Sequence, residues 1–171
     1  DYMRVISTAV GADWKFRDRL FIGLEGFYKQ FMDIPLSLET GVPLTCTGAD
    51  YGSIGEEILV SSSRGRAYGA ELLVRWLIPE KLSLIGSATL YKSEYRATKD
   101  SDYIPSAWDN RFILNLSGVY DLPRYWSIGM KVSAIGGSPY TPYDADVSSL
   151  KIVWDAAGRP VYDYTKYNQY R

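Results

Sequence analysis

Three runs, Tyr68–Ile78, Leu82–Tyr95 and Arg111–Asp121, alternate between a greasy and a mixed polar face. In the first, Tyr68, Ala70, Leu72, Val74, Trp76 and Ile78 share one side, and Gly69, Glu71, Leu73, Arg75 and Leu77 share the other. A repeat of two is the mark of a β-strand, whose successive side chains point to opposite sides of the pleat. The length of the runs constrains the chain further. Strands of water-soluble domains cluster near 5–6 residues, whereas a strand that crosses a bilayer needs roughly 9–11 and is tilted. The fold therefore depends on what solvent meets the greasy side.

The same pattern gives about six strands, at 4–14, 20–31, 66–78, 82–96, 108–121 and 126–136. The stretches 32–65, 97–107 and 137–171 are rich in Gly, Pro, Ser, Asp and Tyr and read as long loops. Short turns at Lys15–Arg19, Pro79–Lys81 and Pro123–Tyr125 separate the members of each pair. The expectation is an all-β, antiparallel up-and-down meander, with short turns at one end and long loops at the other, as in outer-membrane barrels. Trp14, Trp76, Tyr120 and Trp126 lie on greasy faces beside the short turns, where a membrane–water interface places its aromatic girdle. Glu25, Lys29, Glu71, Arg75, Arg111 and Lys131 fall on the mixed face and are expected to point into the barrel lumen. About six strands cannot close a barrel. Open edges in hydrocarbon would each leave roughly five donors and as many acceptors unpaired, at several kcal/mol apiece. The membrane reading thus requires a larger barrel, and the Asn168–Arg171 end reads as the end of a loop.

Composition removes several alternatives. Net charge is −1, which gives no electrostatic case for nucleic acid. Histidine is absent, and with it the usual metal ligand and general base. Cys46 is the only cysteine, so no disulfide forms within the chain. No apolar run is long enough for a transmembrane helix. No catalytic residue, metal site or cofactor is expected. Glu56-Glu57 reads as part of a solvated loop and not as paired carboxylates for sugar hydrolysis. Asp100/Asp102 and Asp144/Asp146 could offer oxygens to calcium but lack the Gly and Glu of a calcium loop, and the Asn115-Leu116-Ser117 sequon falls inside a strand. Tyr51, Tyr140, Tyr143, Trp154, Tyr162, Tyr164 and Tyr167 are the loop aromatics, either ligand contacts or braces between loops.

Several motifs add a resemblance. Leu24-Glu25-Gly26-Phe27-Tyr28-Lys29, Gly65–Leu72, Ile104–Arg111, Gly136–Asp144, and Tyr162-Asp163-Tyr164 with Asn168 and Arg171 follow one another in an order similar to that of the late barrel of TonB-dependent outer-membrane receptors of the Bacteroidetes type. The resemblance covers nearly the whole chain, although the family's plug domain, TonB box and last strands have no counterpart here. It implies a section of a 22-stranded barrel in the outer membrane. It also implies uptake of a scarce nutrient (an iron chelate, a cobalamin, a glycan or a peptide), with the plug and the inner-membrane TonB complex as partners. The competing readings are a soluble, Tyr-rich carbohydrate- or protein-binding β-sandwich, whose greasy faces would meet about 10 Å apart, and a passive porin or barrel enzyme.

Overall fold

A computed structural model describes residues 2–48 and 57–171. Strand makes up 58% and helix 10%, so the chain is all-β. The strands are β1 (Arg4–Phe16), β2 (Leu20–Ser37), β3 (Leu59–Ile78), β4 (Leu82–Arg96), β5 (Ile104–Pro105), β6 (Phe112–Leu122) and β7 (Trp126–Ile135). They form one sheet in the order β1-β2-β3-β4-β6-β7, with the short β5 beside β4. Every pairing is antiparallel. The sheet is open, with β1 and β7 as its edges. Among the described residues no second sheet faces it, so the two opposed layers of a sandwich are absent.

The strands differ from the expected segments where local backbone breaks the alternation. Pairing of β2 with β3 runs deep into the stretch expected to be loop, because register shifts between Phe31 and Pro35 hide the continuing strand. Asp33, at φ 57°, lies within that irregularity. At the other expected boundary, β6 starts at Phe112 and not near 108. Arg111 sits at φ 66°, and Trp108 and Asn110 belong to a turn. The stretch from 137 onward holds two short helices, α1 (Ala145–Ser148) and α2 (Lys151–Ala157). Asp144 caps α1 by accepting from the Val147 N–H at 3.0 Å, and Gly158, at φ 65°, closes α2.

Three tight turns join β1–β2, β3–β4 and β6–β7 at one end of the sheet. Arg17 and Asp18, then Glu80, then Arg124 and Tyr125, take positive φ there. The two turns with paired left-handed residues, at Arg17–Asp18 and Arg124–Tyr125, match the right-handed twist of the strands they join. The turns do not lie on one hydrogen-bonded rung. The rung through Phe16 and Leu20 passes Trp76 and Leu84 and meets β6 at Gly118. The rung through Ile78 and Leu82 meets β6 at Tyr120, and the last turn closes at Leu122 and Trp126. Each hairpin therefore steps on by two residues, or one residue per strand. With about 3.3 Å per residue and about 4.8 Å between strands, turns at a common level require a strand lean of about 35°, the tilt of barrel strands.

The buried core is small and lies at the loop end. Ile34, Val42, Cys46 and Tyr95 form it, with Phe31, Ile104 and Tyr167 packed against them. Phe31, Gly65 and Tyr95 share a rung on the mixed face. The Tyr95 ring lies over Gly65, where an added Cβ would fall 2.1 Å from a ring carbon. The loops thus fold onto the mixed face and leave the greasy face bare.

Candidate functional site

The greasy face is the most distinctive surface. Between Trp76 and Tyr68 on β3, and between Tyr120 and Phe112 on β6, eight residue steps pass without a charge on that side. The same holds from Trp14 to Ile6, Leu20 to Tyr28, Leu82 to Leu90 and Trp126 to Ala134. Its side chains are open: Val10 is 76% exposed, Leu90 62% and Met130 60%.

Both margins of this band are aromatic. Trp14, Trp76, Tyr120 and Trp126 stand at the turn end and are all exposed. They lie on successive rungs, reaching β6 at Leu116, Gly118, Tyr120 and Leu122, and so slant with the turns. At the loop end Tyr28 and Tyr68 face each other, their rings stacked at 6.4 Å, and Phe112 continues the margin one rung nearer the turns. Sequence reading missed this second margin, although Tyr28, Tyr68 and Phe112 share the parity of the leucines.

The mixed face is built differently. Glu25 and Glu71 are directly opposed across β2 and β3, with Gly11 beyond Glu25. They line a groove of about 580 Å³ with Asp13. Like charges placed so repel, and only a wet, high-dielectric surrounding keeps that cost small. The cations rest on aromatic rings: Arg75 lies 5.3 Å from the Phe21 centroid and Lys29 5.8 Å from Phe27. Lys131 faces Ser117 across β6 and β7. Arg111 precedes β6 in a left-handed conformation, so strand parity does not orient it.

The loop aromatics divide into separate groups. Tyr140 bridges to Tyr170, ring to ring at 5.9 Å. Tyr143 stacks on Tyr162 at 4.8 Å, Tyr162 meets Tyr164 edge-on, and Tyr164 stacks on Tyr167. Trp154 stands apart on α2, its indole N–H donating to the Ser148 carbonyl at 2.7 Å. Tyr51 and Glu56 lie outside the described residues. Among the described residues, all of these rings except Trp154 contact at least one other ring of the set or Tyr170.

A latch holds the last residues to the loop end. Arg171 pairs with Asp109 at 2.5 Å, and the Asp109 side chain is 1% exposed. Arg171 also donates to the Gly137 carbonyl at 2.9 Å, and the Ser93 N–H donates to Asp109 at 3.1 Å. The Asn168 amide donates to the carbonyls of Cys46 and Pro105 at 3.0 and 2.9 Å. Ser138 donates to Asn110 at 2.7 Å. Motifs far apart in the chain thus meet in space. Burial pushes the Cys46 thiol well above its ordinary range. Beside the latch, Asp163 is held low, chiefly by its hydrogen bond from Lys166 and then by the Thr165 hydroxyl.

No protein-family model matches the chain, and no curated protein shows significant similarity to it.

Proposed function

We propose that this chain forms part of the wall of a transmembrane β-barrel in the outer membrane, within a receptor of the TonB-dependent kind that takes up a scarce nutrient. The observation that carries the reading is the charge-free band. Its eight residue steps span about 26 Å along a strand. At a lean of about 35° that becomes about 22 Å in height, close to the roughly 25 Å apolar band of such barrels. Margins and turns slant alike, as a horizontal membrane would require of tilted strands. In a bilayer the open edges of β1 and β7 need further strands beside them, since unpaired backbone in hydrocarbon costs several kcal/mol per group.

The nutrient reading rests on the motif resemblance and on the aromatic loops above a wet inner face. Lipid covers the greasy side, and the plug and TonB complex act from within. No catalytic role is proposed. Substitution separates the two faces. Leu72→Arg or Leu114→Arg, near the middle of the band, should lose about 2–4 kcal/mol of membrane stability and cripple assembly. Ser87→Arg, on the opposite side, should assemble normally. Membrane fractionation with heat-modifiable gel migration reads the outcome, and equal tolerance at both faces would refute the lipid assignment.

A further inference from the structure

We propose that the outward side of the β3–β4 hairpin, just above the Tyr68 margin, holds the phosphate of an anionic lipid headgroup. The proposal rests on the membrane reading and adds a specific lipid class to it.

On this side the first charged residues beyond the band are Arg66 on β3 and Lys92 on β4, followed by Glu94, Arg64 and Arg96. They sit where tilted strands would leave hydrocarbon and enter the headgroup layer. Glu94 is nearly buried and engages both Arg66 and Lys92, the latter at 2.6 Å. One carboxylate is therefore shared by two cations. Arg64 and Arg96 are direct cross-strand partners, and among the described residues neither makes an ion pair with a carboxylate. Asp33 is paired with Arg4 at 2.7 Å, and the nearby loop acids Asp100 and Asp102 make no ion pair with the arginines. The patch carries four cations against one acid.

Like charges directly opposed on a sheet are destabilising, so the Arg64–Arg96 rung gains from an anion placed between them. Two of the cations, Arg66 and Arg96, are also held in place. Tyr103 lies under both the Arg66 and Arg96 guanidinium groups, 4.0 and 4.9 Å from its centroid. Arg96 donates from Nη1 to the Lys99 carbonyl at 2.7 Å, while its buried Nε has no partner. Planar guanidinium forks suit phosphate oxygens. The adjoining Tyr28 and Tyr68 rings would lie against the glycerol and upper acyl region of the same lipid.

The test uses the complete barrel that holds this sheet, reconstituted into phosphatidylcholine nanodiscs and titrated with fluorescent phosphatidylglycerol. Fluorescent phosphatidylcholine and inorganic phosphate serve as the other arms. Phosphatidylglycerol should bind in preference to phosphatidylcholine, and Arg64→Gln or Arg96→Gln should each weaken it about fivefold. Lys131→Gln, on the opposite face, should leave binding unchanged. Normal insertion with an unaltered lipid preference in the Arg64→Gln/Arg96→Gln double variant would overturn the headgroup site and leave the membrane reading standing. Displacement of the lipid by inorganic phosphate at equal strength would overturn the lipid as the source of the anion. Failure of the complete barrel that holds this sheet to enter the nanodiscs would overturn both readings.

Discussion

At the scale of residues, the contact that ties the last residues to the sheet is the pair between Asp109 and Arg171. A buried carboxylate that loses its paired cation costs about 3–5 kcal/mol. Arg171→Ala should therefore release the end of the chain from the sheet. Hydrogen exchange over residues 137–171 should rise, while exchange in the band strands stays slow. Cys46 offers an independent readout. Its thiol is buried and stays protonated well above the ordinary range of about 8.5, so maleimide at pH 8 should label it only once the loop opens. The turn held by Asp163 and Lys166 should respond to acid. A depressed carboxylate contributes stability above its ordinary value, and that contribution is lost as pH falls through the value in the folded chain. Fraying of that turn below about pH 4, seen by hydrogen exchange over 162–167, is the expected result. Asp109, Asn168 and Arg171 could be picked out of the motifs in the sequence. Their pairing across 62 positions could not, because local pattern carries no record of a contact made by folding loops.

Among the elements, the parity of each long strand was legible because period two follows directly from the pleat. The six main strands all occur, and the greasy positions share one face. What sequence reading lost were the places where backbone conformation interrupts the count. The irregularity around Asp33 extends β2 and β3 past their expected limits, and the left-handed Arg111 delays β6. The small core depends on the first of these, since Ile34 enters it just beyond the register shift. It also depends on Gly65, whose missing side chain admits the Tyr95 ring. Gly65→Val should expel that ring at a cost of about 1–3 kcal/mol. Maleimide labelling of Cys46 should accelerate, while the greasy band keeps its order. An unchanged labelling rate would separate Tyr95 from the packing of the loops.

For the whole molecule, the decisive pattern is geometric. One residue of stagger per strand, a margin of aromatics on each side of a charge-free band, and the opposed Glu25–Glu71 pair on the other face at the same height all fit the proposed wall between hydrocarbon and water. The lower margin was legible in sequence from Trp14, Trp76, Tyr120 and Trp126. Its slant was not, because register between strands is absent from the pattern of any one strand. The most direct measurement is a spin-label scan along β3 from residue 66 to 78, in the protein reconstituted in bilayers, with oxygen and a water-soluble nickel chelate as relaxants. The account predicts alternation: even positions from Tyr68 to Trp76 relaxed by oxygen, most strongly near Leu72, and odd positions relaxed by nickel. Even positions shielded from both relaxants, or relaxed by nickel, would mean that protein or water covers the greasy face.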